Sequence, residues 1–336
     1  MRFPKILILI VNWNGKKDTL ECLASLANAE PTPLFSTLIV DNGSTDDSVC
    51  AIRSAYPDVP ILETKANLGF AGGNNAGIKW ALSKSFEWIL LLNNDTIIAP
   101  DFIKKFMEAV KEKPSVKLWG AKIYRFNDPK RLDHFGGFWN PDRAEFVSPA
   151  SGQIDNGAFE QMQQVDYVCG AAMLMHRSVP ETVGLLEERF FLLWEESDFC
   201  IRARRAGFEI WTAPLAKVWH KVSASFTGGK PHMHYFWWRN RLLWISRNCI
   251  PSEKRKLYIR IILPEIISNF KIAMLRSLQE ILFRPFNRFD QSRIEKVRRY
   301  RAGCRGILHY FLGRFGNCPP TYIRASCKTP KKPFPT

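Results

Sequence analysis

The sequence is short of acid where it is rich in base. Of its 336 residues, 221–336 hold 5 Asp and Glu against 24 Lys and Arg, whereas residues 1–220 hold 27 against 24. The net charge of +16 therefore belongs to the last third alone. Such a skew points to an anionic partner for that third: membrane lipid, nucleic acid or a phosphorylated acceptor. The eight cysteines form no CxxC pair and no histidine stands at zinc-finger spacing from them. At this length a disulfide-stapled secreted domain is excluded, and the cysteines read as reduced thiols of a cytosolic protein. A run of about 18 uncharged apolar residues, enough to span a bilayer, is also missing. The first apolar run, Ile6 to Val11, passes into Asn12-Trp13-Asn14-Gly15 without a small-residue cleavage site, so it reads as a buried strand rather than a signal peptide.

Several phosphate and nucleic-acid signatures are absent too. There is no GxGxxG after the first strand and no GxxxxGK[ST], which argues against an NAD-dependent dehydrogenase. A sugar-phosphate nucleotidyltransferase, the nearest rival class, would want a Gly/Arg/Lys-rich phosphate loop near its N-terminus. The third class, a basic nucleic-acid-binding protein, has the charge but no helix-turn-helix, RNP or zinc signature, and nucleic acid is not expected as a partner.

What is present is a chain able to bury a core, 46% hydrophobic and 24% charged. Residues 1–115 alternate strand and helix. Ile6–Val11 is a continuous apolar run, as in a parallel strand covered on both faces, and Leu20, Leu23 and Leu26 mark the helix after it. Leu38-Ile39-Val40 is a second strand, with helix-opening Ser44-Thr45-Asp46-Asp47 behind it. Ile61-Leu62 is a third strand, Ala71 to Ser83 a helix, Trp88 to Leu92 a fourth strand, and Pro100-Asp101 opens the next helix. This order predicts a doubly wound, mostly parallel sheet with flanking helices, whose ligands bind at the carboxyl ends of its strands. Polar clusters stand there: Asn12–Gly15, Asp41–Ser44, Asn67–Asn75 and Asn93–Asp95. Beyond them, Val116–Tyr124 and Val165–His176 read as strands and Phe190 to Ala206 as a helix closed by Gly207. Glu209–Trp211 and Lys217–His220 read as short strands. The expected division is a catalytic domain over 1–233 (halves 1–115 and 116–233), a basic amphipathic helical extension over 234–315, and a loose tail over 316–336 with five prolines.

Each cluster has a bland and a chemical reading. Asn93-Asn94-Asp95 ends an apolar strand either as a side-chain-bonded turn or as a holder of Mg²⁺ or Mn²⁺, which take oxygen ligands and share the rest with water and phosphate. Asp41 either caps a turn or accepts hydrogen bonds from a base or ribose. Asn67-Leu68-Gly69 opens a helix, by close packing or by turning backbone N–H groups toward an anion. Trp194-Glu195-Glu196-Ser197-Asp198 puts three carboxylates at a helix start. The helix dipole suits them there, but acids crowded beside Phe190–Trp194 should have raised pKa values fit for a general base. Arg202 stands four residues after Asp198 as a structural partner for it. His220, alone after Val218-Trp219, gains a role only from its company.

Taken in order, VNWNG (11–15), DNGSTDDS (41–48), NLGFAGGNNAG (67–77), LLNND (91–95), CGAAMLMHR (169–177), WEESDFCIRARRAGF (194–208), VWH (218–220) and RNRLLWISRN (239–248) resemble the inverting family 2 glycosyltransferases of GT-A, Rossmann-like fold. The rhamnosyltransferase-like and galactofuranosyltransferase-like branch is the best match, over roughly residues 5–250, and GCRGILHYFLGRFG (303–316) is similar to its C-terminal ending. The resemblance implies transfer of a sugar from a UDP- or dTDP-sugar to a glycan or lipid-linked saccharide, as in bacterial surface polysaccharide synthesis. It implies that Asn12, Asp41, Asn67, Gly69, Asn94 and Asp95 serve the nucleotide-sugar. Asp95 and His220 would hold the Mg²⁺ or Mn²⁺, and Gly170, Ala171 and Trp194 would face the acceptor. Glu196 would be the general base, with Asp198 as the other candidate. Two departures stand out: Asn93 replaces the first carboxylate of the metal motif, and Glu196 stands where an aspartate is usual. With Trp237, Trp238, Trp244, Phe270 and Phe283 set among Arg and Lys, the last third is expected either to lie on the inner, cytoplasmic face of an anionic membrane as a peripheral protein, or to pack as a solvated basic face.

Overall fold

The computed structural model describes residues 5–31, 35–221, 230–283 and 290–322. They form two compact units, Met1–Ser223 and Ala224–Thr336.

In the first unit the order is β1 (Ile6–Asn12), α1 (Lys16–Ala27), β2 (Phe35–Asp41), α2 (Ser48–Ala55), β3 (Ile61–Glu63), α3 (Gly69–Leu82), β4 (Trp88–Asn93), β5 (Thr96–Ile98) and α4 (Phe102–Glu112). There follow β6 (Leu118–Arg125), β7 (Asp128–His134), β8 (Phe138–Asn140), β9 (Glu145–Val147), β10 (Ala172–His176), α5 (Ser178–Val183), α6 (Glu195–Arg205) and β11 (Ile210–His220). Eight strands run β3-β2-β1-β4-β10-β6-β11-β5, and β7 joins β6. The pairs of β1 with β2, β1 with β4 and β2 with β3 are parallel. Antiparallel β10 then enters between β4 and β6, so the sheet is parallel in its first half and mixed in its second.

The run Ile-Leu-Ile-Leu-Ile explains the layering. A strand turns successive side chains to opposite faces. Ile6, Ile8 and Ile10 accordingly pack with Leu23, Leu26, Phe102 and Phe106 of α1 and α4. Leu7 and Leu9 pack with Ile78 of α3 and with Phe199 and Ala203 of α6 on the other side. Each such burial is worth about 1.5–3 kcal/mol.

Three expectations are corrected. Residues 165–171 are not strand, and β10 begins at Ala172. The two short strands around 209–220 are one strand, β11, whose register with β6 shifts between Ala213 and Lys217; Pro214 lacks the N–H a ladder needs, and the chain bulges around it. Residues 190–194 are not helical. A 3₁₀ turn at Glu188–Phe190 leads into Phe191, Leu193 and Trp194, all with positive φ, and α6 starts only at Glu195. It ends as expected, with Gly207 at φ +90°.

The second unit contains α7 (Pro231–Asn248), α8 (Pro251–Leu257), a π-helical turn at Tyr258–Ile262, α9 (Leu263–Phe283), α10 (Gln291–Phe311) and a 3₁₀ turn at Pro320–Tyr322. α7 is buried nearly all round. Its Tyr235 hydroxyl meets His309 Nδ1 at 2.7 Å. Arg239 is wholly buried, donating to Gly316 O at 2.5 Å and lying against the Tyr235 and Phe236 rings. α10 comes close because Gly306 has no side chain: a Cβ there would fall 2.3 Å from Tyr235 O. This packing corrects the expected aromatic surface. Trp238 and Trp244 are buried in the unit's core, while Phe270 and Phe283 are exposed. Of the expected tail 316–336, residues 323–336 lie outside the described residues. The seven described cysteines are all free.

Candidate active site

The carboxyl ends of β1, β2, β4 and β11 share one edge of the sheet, and β10, running the other way, brings its N-terminal end there. At the end of β1, Asn12 is fully buried and acts as a junction. Its Nδ2 donates to Asp41 Oδ1 at 2.9 Å and Ser44 Oγ at 3.1 Å; its Oδ1 accepts from Thr19 Oγ1 at 2.8 Å and Gly15 N at 3.2 Å. Asp41 Oδ2 accepts from Ser44 N at 3.0 Å. Each carboxylate oxygen thus keeps a second lone pair for a hydroxyl or base N–H.

The Gly- and Asn-rich loop is closed differently from the expected anion cradle. Asn42 Oδ1 takes the N–H of Leu68 at 3.0 Å, and Asn67 Oδ1 takes that of Gly69 at 2.8 Å. Those donors are satisfied within the protein because side-chain amides reach them first. Gly69 holds φ +74°, and a Cβ on it would lie 2.3 Å from Phe191 O. Asn75 belongs to the same motif, NLGFAGGNNAG. It binds Leu186 N and O and Glu188, tying α3 to the turn before α6.

At the end of β4, Asn94 is turned aside to Thr19 Oγ1 at 2.9 Å. Asp95, 6% exposed, meets His220 Nε2 at 3.1 Å. His220 Nδ1 in turn stands 3.2 Å from Asp133 Oδ2 of β7. Burial works against a charge on this imidazole, but its hydrogen bonds to Asp133 and Asp95 and their two negative charges outweigh it and raise its pKa to about 9. Among the described residues no three His, Cys, Asp or Glu side chains form a metal-holding group; the candidate pair is Asp95 with His220. That fits Mg²⁺ or Mn²⁺, which take their remaining oxygens from water and phosphate, and Asp133 fits the outer partner that fixes the tautomer of a ligating histidine. Asp133 was missed in the sequence, and no motif marks it.

The acids at the start of α6 separate into roles. Asp198 is fully buried, and its Oδ2 accepts from Arg202 Nε at 2.9 Å; Arg202 also binds the carbonyls of Val183 and Leu185. Glu195 and Glu196 each keep a buried Oε2 with no hydrogen-bond partner. Burial pushes both pKa values up, Glu195 well above the usual carboxylate range with the Glu196 charge adding to it, Glu196 to about 6. Glu196 is half-buried and stands beside Gly170, where an added Cβ would lie 3.9 Å from its Cβ and 2.8 Å from the Phe70 ring. Trp194, 7% exposed, packs edge-on to Phe146. Ala171 O accepts Asn93 N at 3.0 Å, so the loop bearing Gly170 is bound to the strand end that carries Asp95. Asp95, His220 and Glu196 are thereby linked along one edge through Asn93, Ala171 and Gly170.

A model described as Glycosyl transferase family 2 matches residues 7–184, more than half of the chain. The chain is 26% identical over 244 residues to the low-salt glycan biosynthesis hexosyltransferase Agl10 of Haloferax volcanii, covering 70% of this chain and 74% of that protein. It is 28% identical to the N-acetylglucosaminyl-diphospho-decaprenol L-rhamnosyltransferase of Mycobacterium tuberculosis, covering 68% and 84%. Among solved structures, the mannosyltransferase PcManGT of Pyrobaculum calidifontis, in complex with GDP-Man and Mn²⁺, superposes with a TM-score of 0.56 at 12% identity, over 93% of this chain and 88% of that one. GalNAc-T7 with UDP, GalNAc and Mn²⁺ gives 0.54 at 12% identity, over 71% of this chain and 51% of that one.

Proposed function

Since the chain belongs to glycosyl transferase family 2, and is a glycosyltransferase of GT-A-like fold, we propose that it moves a sugar from a UDP- or dTDP-sugar to a lipid-linked saccharide by a single inverting displacement. The observation that carries this is Glu196: a carboxylate with a buried, unpartnered oxygen and a raised pKa, on the edge that also holds Asp95 and His220. The acceptor class is supported by the rhamnosyltransferase relative, whose name specifies a diphospho-decaprenol-linked sugar. Its place at the inner face of a membrane is supported by the basic last third.

Asp41, positioned by Asn12 and Ser44, binds the nucleoside. Asp95 and His220 would hold Mg²⁺ or Mn²⁺, with Asp133 orienting the imidazole; the chemistry such a cation would supply is charge neutralisation for the departing diphosphate. Gly170 and Ala171 form the loop beside Glu196 on the acceptor side, and Trp194 walls it. Glu196 takes the proton of the acceptor hydroxyl as that oxygen attacks the anomeric carbon opposite the nucleotide. Asp198, engaged by Arg202, secures the helix start.

A screen of nucleotide sugars with Mn²⁺ or Mg²⁺ tests the reading. One UDP- or dTDP-sugar should release its nucleoside diphosphate, with an inverted anomeric configuration in the product. Retained configuration would overturn the single displacement, and release from no nucleotide sugar would overturn the reaction class.

A further inference from the structure

Three polar groups of the first unit play no part in the proposed reaction, and each lacks a partner. His134, 7% exposed, leaves Nε2 without a hydrogen bond, and Glu195, 2% exposed, leaves Oε2 in the same state. The Tyr167 hydroxyl makes no hydrogen bond among the described residues. An unpaired buried polar group costs about 1–3 kcal/mol. Three of them in one place point to a partner from outside the chain.

Aromatic rings bring the three together. The Tyr167 ring centre lies 5.1 Å from that of His134 and 4.7 Å from that of Phe146. Phe146, on β9, meets Trp139 of β8 at 5.2 Å and Trp194 at 6.1 Å, and Trp194 is followed at once by Glu195 and Glu196. The β8–β9 hairpin is fastened to Tyr167: the N–H of Gly137 donates to Tyr167 O at 3.0 Å, that of Tyr167 to Gly137 O at 3.1 Å, and that of Trp139 to Asp166 Oδ2 at 2.7 Å. Burial keeps the His134 imidazole neutral, its pKa pushed down to about 4. Burial also keeps the Tyr167 phenol protonated, and Glu196 and Asp133 are among the charges that add to this. Tyr167 is thus within reach of the proposed base and of the carboxylate behind His220. Trp139, Phe146, Tyr167 and Glu196 are each half-buried, so the cluster is partly open to solvent. Aromatic rings with a few converging polar groups suit a pyranose, whose C–H faces are apolar and whose rim hydroxyls both donate and accept. A polyprenyl chain would satisfy the rings and leave the three polar groups unpaired, and a phosphate would be set against Glu195 and Glu196.

We propose that the β8–β9 hairpin and Tyr167 form a subsite for a pyranose ring of the acceptor, whose hydroxyls pair with the Tyr167 hydroxyl and His134 Nε2. The proposal rests on the transfer reaction argued above and names the class of acceptor sugar and the residues that select it.

The test is saturation-transfer NMR of the full chain with octyl glucoside, octyl galactoside and octyl N-acetylglucosaminide, with and without UDP and Mn²⁺. At least one glycoside should take up saturation at its ring protons. Tyr167→Phe keeps the ring and removes only the hydroxyl. It should weaken that binding about tenfold, while the unfolding temperature stays level or rises because an unpaired buried group is gone. Trp139→Ala should weaken binding about tenfold, and Trp139→Phe should restore most of the loss. Binding by no glycoside, or saturation confined to the octyl chain, overturns the subsite. Unchanged binding in Tyr167→Phe, or a fall in its unfolding temperature, overturns it too, the latter by showing that the hydroxyl already has a partner within the fold. Nucleoside diphosphate release is read separately: ring-proton binding without release from any donor leaves a pyranose site and removes the transfer reaction, and release without ring-proton binding does the reverse.

Discussion

His220 Nδ1 lies 3.2 Å from Asp133 Oδ2, so the imidazole that faces Asp95 is held from behind by a carboxylate from β7. Under the proposed metal role, this lock would turn Nε2 the same way each time a cation arrives.

Asp133→Asn keeps the shape and removes the charge. We expect Mn²⁺-supported affinity for the nucleoside diphosphate to fall about 10–100-fold, and Asp95→Ala to abolish the metal-supported part. Calorimetric titration of UDP and dTDP with and without Mn²⁺ measures both. Unchanged affinity in Asp133→Asn would leave Asp133 with no part in holding His220.

Glu196→Gln should lower turnover by about 10²–10⁴-fold with nucleoside diphosphate affinity within about twofold of the parent. Near-normal turnover would move the base to another residue.

The pH dependence follows from burial. A base must be ionised, and Glu196 titrates at about 6, so turnover should fall as pH drops through about 6 and be level above it. For stability the sign is opposite. A carboxyl whose folded pKa is raised contributes stability at acid pH that is lost as pH rises through the folded value. Glu196→Gln should therefore gain in unfolding temperature over the parent as pH rises from about 4.5 to about 6, and hold that gain above it. A pH-independent difference between them would deny the raised pKa.

Asp198→Asn should separate structure from chemistry. It leaves Arg202 without its charge partner next to the carbonyls of Val183 and Leu185. Breaking a buried pair from one side costs about 3–5 kcal/mol, so the unfolding temperature should drop while turnover per folded molecule holds. A loss of turnover in stably folded protein would return Asp198 to the reaction.

Gly69→Ala puts a side chain at φ +74° and 2.3 Å from Phe191 O. We expect about 1–3 kcal/mol of destabilisation and, because Phe191 opens the turn leading to Glu196, a fall in turnover larger than any change in donor affinity. Chemical denaturation and steady-state kinetics report the two effects.

The first half of the fold was legible because its strands are short apolar runs and each ends in polar residues; Ile6–Val11 and Trp88–Leu92 could be read directly. Asp95, His220 and Glu196 were legible as members of an ordered set of motifs. What stayed hidden depends on contacts between distant positions. Asp133 lies in a strand of ordinary polar composition, and only the pairing of β7 with β6 brings it to His220. The Phe190–Trp194 stretch looked helical because its apolar residues continue into α6; three positive φ values show tertiary packing overriding that pattern. Likewise Trp238 and Trp244 looked interfacial beside Arg239 and Arg241, yet α7 is buried on nearly every side and takes its arginines inside with it.

The turn before α6 has one more consequence. Phe191 accepts the N–H of Ala71 and fills the space that Gly69 leaves open, so the loop that opens α3 and the turn that leads to Glu196 are a single wall seen from its two sides. Filling one room presses on the partition of the other. A change at Gly69 should therefore be felt at the start of α6 through the backbone itself, with no messenger between them.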